Sequence, residues 1–186
     1  MPIQSIDIPL GTRMPKFALK DPSGSEFSSE KLYGPKGLLV IFTCNHCPYA
    51  KALWPRTIRL AGAAKGLGVN TVGINPNINP EYPDDGPEVM KQKIKEWGIT
   101  FPYLVDDTQR VAAEFNAQCT PDIYLFDSKQ KLVYHGRVDD NWQDESKVMH
   151  EELKEAIQNL ALGKADSNKQ NPSMGCSIKW RENPYN

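Results

Sequence analysis

Gly37-Leu-Leu-Val-Ile-Phe42, running straight into Thr43-Cys-Asn-His-Cys47 and then Pro48-Tyr-Ala50, is the stretch that decides the fold. No side chain from Gly37 to Phe42 is polar. A continuously apolar run of this length suits a central strand covered on both faces. Proline is welcome in the first turn of a helix, so a helix begins near Pro48. It continues through Tyr49, Leu53, Ile58 and Leu60, with a kink expected at Pro55, which lacks a backbone donor. The segment therefore reads as a core strand, a short turn bearing two cysteines, and a helix.

The flanking sequence repeats the alternation. Upstream, Lys16-Phe-Ala-Leu-Lys20 alternates polar and apolar, and Asp21-Pro-Ser-Gly24 is a turn signal, which predicts an N-terminal hairpin. Downstream, Val69 to Ile74 reads as a second core strand and Asn75-Pro-Asn-Ile-Asn-Pro80 as a loop. A helix is expected from about Pro87 to Trp97, with Val89, Met90, Ile94 and Trp97 along one side and Gly98 as its stop. Tyr103 to Val105 is a brief strand. Asp106-Asp107 supplies capping carboxylates for a short helix from Thr108 to Phe115. Ile123 to Phe126, the turn Asp127-Ser-Lys-Gln130 and Lys131 to His135 form a second hairpin. A last amphipathic helix is expected from about Glu145 to Leu162, ending at Gly163. This order implies an α/β fold, a mixed central sheet flanked by helices with an N-terminal β-hairpin extension. Residues 1–163 make one domain, and residues 164–186 a polar tail expected to dock on it, with one apolar stop at Ile178 and Trp180.

Composition narrows the function. The chain has 186 residues, 39% hydrophobic and 24% charged, which fits one globular domain. Lys plus Arg is 22 against 23 Asp plus Glu, a net charge of -1 that speaks against a nucleic-acid partner. The apolar run Gly37–Phe42 is far too short to cross a membrane. Four cysteines are too few for a disulfide scaffold. Residues 1–15, MPIQSIDIPLGTRMP, have no basic region followed by an apolar one, so a cytoplasmic, reducing location is expected. Cysteines there are catalytic, metal-bound or buried.

Cys44-Asn-His-Cys47 carries the chemistry. Two cysteines with two residues between them, at a strand-to-helix junction, read as a dithiol/disulfide couple. The helix N-terminus favours an anion, so the pKa of Cys44 is expected to fall and its thiolate to attack. Cys47 lies one turn on and resolves the mixed disulfide. His46 between them adds positive charge to steady the thiolate. Half of a zinc site is the competing reading, but Cys119, Cys176, His135 and His150 offer no second ligand pair at zinc spacing. No metal and no organic cofactor is expected.

The strand, the CxxC, the helix and the later Cys119-Thr-Pro121 before Ile123–Phe126 resemble the thioredoxin superfold. The opening Leu10-Gly-x-x-x-Pro15-x-Phe17-x-Leu19-x-Asp21-x-x-Gly24 resembles the start of AhpC/TSA redoxins. Cys44-Asn-His-Cys-Pro-Tyr-Ala-Lys51, Cys119-Thr-Pro-Asp-Ile-Tyr-Leu-Phe-Asp127 and Gly175-Cys-Ser-Ile-Lys-Trp180 resemble a peroxiredoxin-like group of bacterial redoxins. The likeness covers about residues 9–142 and 172–180. It implies a cis-proline, Pro121, facing the dithiol, with Thr43, Pro48, Thr120 and Cys119 around it. It also implies a disulfide of a protein or small molecule as substrate, and electrons from a donor such as a thioredoxin reductase system. In the peroxidase branch the reactive cysteine sits where Cys47 does and proline follows it, as Pro48 does here. That branch has threonine at the place of Cys44 and an arginine at the place of Thr120-Pro121; Arg110 and Arg137 are the nearest in sequence. Both departures run toward thioredoxin, so disulfide exchange is the first expectation and peroxide reduction through Cys47 the second. Thioredoxin's buried aspartate has no counterpart in Leu38–Phe42, and its tryptophan before the first cysteine is replaced by Thr43. A third expectation, of another class, is a copper carrier, since soft thiolates and an imidazole such as His135 suit Cu(I). Those relatives space their cysteines by three residues, not two.

The remaining candidates are weaker. Cys119 reads equally as a third redox or metal thiol and as a packed one. Cys176 is a tail thiol that folds back as a resolving cysteine or stays unreactive. His135 is structural, His150 lies on the solvated face of the last helix, and Trp97 is core. Trp142 borders the site or caps its loop. The Asn75–Pro87 loop is read as surface.

Overall fold

The computed structural model describes residues 2–164 and 170–185. In chain order the elements are β1 (Pro2–Gln4), β2 (Ala18–Lys20), β3 (Glu26–Ser28), α1 (Ser29–Leu32), β4 (Gly37–Phe42), α2 (Pro48–Gly66) and β5 (Val69–Asn75). Then come α3 (Pro87–Trp97), β6 (Tyr103–Val105), α4 (Arg110–Glu114), β7 (Cys119–Thr120), β8 (Asp122–Asp127), β9 (Leu132–His135), α5 (Glu152–Ala161) and β10 (Met174–Ser177). Single 3-10 turns stand at Pro83–Asp85 and Glu145–Lys147.

Seven strands form the main sheet in the order β3-β2-β6-β5-β4-β8-β9. β4, β5 and β6 are parallel, while β8 runs antiparallel to β4 and pairs Tyr124 with Val40. The sheet is therefore mixed. β4 is central and buried along its whole length. Its side chains alternate as the pleat requires. Leu38, Val40 and Phe42 join Val72, Phe115 and Tyr124 on one face. Leu39 and Ile41 join Leu53, Ala64, Leu153 and Ile157, from α2 and α5, on the other. The N-terminal hairpin pairs Leu19 with Phe27 and docks through β2 on β6.

A second, antiparallel sheet runs β1-β10-β7. It draws the C-terminal segment back onto the domain. Ile178 is buried in the main core with Trp180 packed against it. Lys179 N–H donates to Asn77 Oδ1 at 2.9 Å, and Arg181 N–H to Gln109 Oε1 at 2.9 Å. Of the segment 164–186, residues 165–169 and 186 lie outside the described residues.

Three local readings differ from the structure. The last helix is shorter than expected at its start. Asp144 caps the Glu145–Lys147 turn, accepting from Ser146 N at 3.0 Å. The chain then extends, held to Asp140 through Met149 N at 2.9 Å, and α5 begins only at Glu152. His150 therefore lies in an exposed connection and not on the helix, while its neighbour Glu152 is buried. The helix expected from Thr108 spans only Arg110–Glu114, because Asp106 reaches past Gln109 to accept from Ala112 N at 2.8 Å. The reading of one helix on both sides of Pro55 agrees with the structure, where α2 is continuous from Pro48 to Gly66. Gly98, with φ 66°, ends α3 in the left-handed conformation that glycine adopts without strain.

Candidate active site

The cysteine turn lies where β4 stops and α2 starts. Thr43 N–H still bonds Ile74 O at 2.9 Å, so the chain leaves the sheet at Cys44. Cys47 is the N-cap of α2 and Pro48 its first residue. This reverses one expectation: the helix N-terminus belongs to Cys47, and Cys44 stands three residues outside it.

The opposing wall is β7 and the loop after it. The Thr120–Pro121 peptide bond is cis. Cys44 Sγ lies 3.2 Å from Thr120 Oγ1, and the Cys47 thiol donates to Thr120 O at 3.2 Å. One residue thus touches both sulfurs, bonding Cys47 while that thiol is protonated. Thr43 and Pro121 line the same small apolar cavity with Ala50 and Trp54. Beside Pro121 a cleft opens, bordered by Leu53, Trp142, Arg137 and Met174. Trp142, at the cleft's edge, packs against Tyr49 with the rings tilted by 35° and their centroids 4.0 Å apart.

The loop read as surface supplies a residue that sequence reasoning missed. Asp85 is fully buried. Its Oδ1 accepts from Asn45 N at 2.7 Å and His46 N at 3.1 Å, and its Oδ2 faces His46 Nδ1. Asn45 is further held by Tyr103 OH at 3.1 Å, and Cys44 O accepts from Trp54 Nε1 at 3.0 Å. Asp85 organises the turn. The only signal for it in the sequence was a carboxylate just before a helix with proline near its start, which ordinarily reads as a cap.

Charges follow the hydrogen bonds. Cys47 is pulled down to about 5, first by the Cys44 thiol donating to it, then by Cys176 and by Ala50 N–H in the first turn of α2. A sulfur at a helix N-terminus accepting such donors is favoured as thiolate. Cys44 is pushed well up by burial, by its bond to Cys47 and by the Asp85 charge. His46 was expected to hold a Cys44 anion; its ring instead meets the Asp85 carboxylate and stacks on Tyr82, 5.7 Å between centroids. Cys119 is buried, donates to Pro121 O at 3.4 Å, and is kept protonated by burial and Asp122. That is a packed thiol.

Among the described residues, Cys44, His46 and Asp85 are the group able to hold a metal, with donor atoms within 4.8 Å of one another. Both Asp85 oxygens already serve the turn, which speaks against that use. His135, the imidazole expected of a copper carrier, has its Nε2 2.9 Å from Asp122 Oδ1 and stacks on Tyr124. The arginines considered for a peroxidase are engaged too: Arg110 with Glu114, and Arg137 with Glu152 at 2.6 Å. Trp97 is half-buried, its ring 5.4 Å from that of Trp54.

Known proteins bear on this geometry. A thiol-disulfide oxidoreductase ResA from Halalkalibacterium halodurans is 25% identical over 124 residues, covering 66% of this chain. The match spans 65% of that relative's own length, just under two thirds. An uncharacterized conserved protein from Geobacillus kaustophilus superposes with TM-score 0.93 at 39% identity, covering 98% of each chain. The thioredoxin domain of a thiol-disulfide oxidoreductase from Bacteroides vulgatus superposes with TM-score 0.58 at 22% identity, covering 69% of this chain and 89% of its own, which shows the thioredoxin-like fold. The AhpC/TSA family model matches residues 10–135, more than half of the sequence, and the chain belongs to the AhpC/TSA family.

Proposed function

We propose that the protein is a thiol–disulfide oxidoreductase working through Cys44 and Cys47. One observation carries this: two buried cysteines at the start of α2 whose sulfurs both lie 3.2 Å from Thr120, beside the cis Thr120–Pro121 bond. The Cys47 thiolate attacks a sulfur of the substrate disulfide, forming a mixed disulfide and releasing one thiolate. Cys44 then attacks Cys47 Sγ, and its proton goes to the departing substrate sulfur. The substrate gains two electrons and the protein holds a Cys44–Cys47 disulfide. Attack thus passes from Cys44, as the spacing implied, to the cysteine that the helix favours. The Thr120 hydroxyl contacts Cys44, and the cleft beside Pro121 receives the substrate. A dithiol donor, such as a thioredoxin reductase system, restores the reduced form. A reducing compartment, the cytoplasm, goes with such a donor.

The test uses Cys176→Ser as background and an aromatic disulfide whose released thiolate absorbs. Cys44→Ser should give one equivalent of thiolate and stall as a mixed disulfide on Cys47. Cys47→Ser should give no fast release. A full burst from Cys47→Ser would overturn the assignment.

Peroxide reduction has one observation in its favour. Cys44 and Cys47 are both 0% exposed, which suits a small oxidant. The Cys47 thiolate would attack a peroxide oxygen, releasing an alcohol or water and leaving a sulfenic acid. Cys44 would then displace water to give the same disulfide. A fast reaction of the reduced protein with hydrogen peroxide, lost with Cys47→Ser, selects this reading. A rate like that of a free thiol removes it.

A further inference from the structure

The second sheet brings a third thiol to the pair. β10 lies between β1 and β7, and Cys176 pairs with Pro2 on one side and with Thr120 on the other. Thr120 is the residue that touches both active-site sulfurs. Cys176 packs against the cluster that contains Cys44, Cys47, Ala50 and Trp54. Its thiol and its backbone N–H stand close enough to Cys47 to help hold that sulfur down in pKa. The close approach depends on Gly175, where a Cβ would collide with Thr120 O. Of the four thiols, Cys44, Cys47 and Cys119 are buried while Cys176 is partly exposed.

We propose that Cys176 is a second disulfide partner for Cys47, and that electrons enter the buried pair through it. This rests on the dithiol reading above and extends it. In the oxidised protein Cys176 Sγ attacks Cys47 Sγ. The Cys44–Cys47 bond breaks, a Cys47–Cys176 bond forms, and the proton of Cys176 passes to Cys44. No electrons are exchanged with solution in this step. A protein dithiol then attacks Sγ of the partly exposed Cys176 and expels the Cys47 thiolate. The donor's second thiol attacks its own sulfur in that mixed disulfide and releases Cys176, so the donor leaves as a disulfide and the protein has gained two electrons.

The electrostatics favour this order. In the reduced protein Cys176 is pushed up to about 11 by burial and by its bond to, and charge repulsion from, Cys47. Oxidation of Cys47 removes the last two causes and leaves Lys179 pulling Cys176 down. When the donor attacks Cys176, Cys47 is the better leaving sulfur, because a thiol of lower pKa departs faster.

The experiment treats reduced wild type and Cys44→Ser with one equivalent of oxidised glutathione and maps the disulfides by peptide mass spectrometry. The expected product of Cys44→Ser is a Cys47–Cys176 disulfide with no glutathione retained. A Cys47 that stays glutathionylated beside an alkylatable Cys176 overturns the proposal. Absence of a Cys44–Cys47 disulfide in Cys176→Ser treated in the same way overturns the dithiol reading instead. Should Cys44→Ser not fold, Cys44→Ala serves. In Cys176→Ser, reduction of the Cys44–Cys47 disulfide by a protein dithiol should slow by at least about tenfold, and reduction by dithiothreitol by less than about twofold. Equal effects on both donors, or none, overturn the proposal.

Discussion

Replacing Cys44 by alanine should raise the titration of Cys47. In the wild type the Cys47 thiol is pulled down to about 5, and the Cys44 sulfhydryl is the largest cause. A hydrogen bond to a charged group is worth about 1.5–3 kcal/mol. Since about 1.4 kcal/mol moves a pKa by one, losing this donor should shift the midpoint to roughly 6–7. It should not return to an ordinary thiol value, because Ala50 N–H and both donors of Cys176 remain. Thiolate absorbance near 240 nm, followed as a function of pH, reads the midpoint directly. Cys47→Ser supplies the baseline. A wild-type midpoint in the ordinary thiol range, or the same midpoint in wild type and Cys44→Ala, would refute the reasoning.

Other outcomes follow from the same contacts. Asp85→Ala leaves the backbone N–H groups of Asn45 and His46 without their acceptor, which should cost about 2–4 kcal/mol in urea unfolding; Asp85→Asn keeps an oxygen there and should cost less, and equal losses would sink the role given to Oδ1. Gly175→Ala drives a methyl group into Thr120 O; it should destabilise by about 1–3 kcal/mol and reduce the yield of the Cys47–Cys176 disulfide, and a normal yield would show that β10 need not lie so close. The low pKa of Cys47 adds stability that is fully present above the ordinary thiol range and is lost as pH falls through about 5. The stability gap between wild type and Cys47→Ser should therefore shrink from pH 8 to pH 5, and a constant gap would contradict the assignment. Arg56 reaches from α2 to Asp139 at 2.6 Å and to the carbonyls of Asn141 and Trp142. Arg56→Met strands a buried carboxylate and should cost about 3–5 kcal/mol, measured as a drop in thermal midpoint; an unchanged midpoint would show the pair to be idle.

How far the sequence could be read depended on how local each signal was. The Gly37–Phe42 run announced a central strand because every side chain there is apolar, and the two core clusters it feeds follow from the pleat. The cysteine turn and the proline loop were legible as motifs. What was not legible lies at long range. Asp85 stands 40 residues beyond Asn45 in a loop of prolines and asparagines, and only the close of the chain around the turn gives its carboxylate two backbone donors and an imidazole. The helix start was read correctly at Pro48, but which cysteine it favours was not, for a related reason. Spacing puts both cysteines within one turn, but a helix N-terminus distinguishes strongly between a cap and a residue three positions earlier. That distinction reverses the expected charges of the two thiols. Cys176 is the extreme case, since its distance in sequence from Cys47 carries no information about register. Its place is set by Gly175, whose missing side chain lets β10 lie against Thr120. A dithiol sealed beneath a surface needs a way for electrons to reach it. A strand added from the far end of the chain, bringing one partly exposed cysteine to the anionic one, gives a route that needs no opening of the turn that Asp85 holds shut.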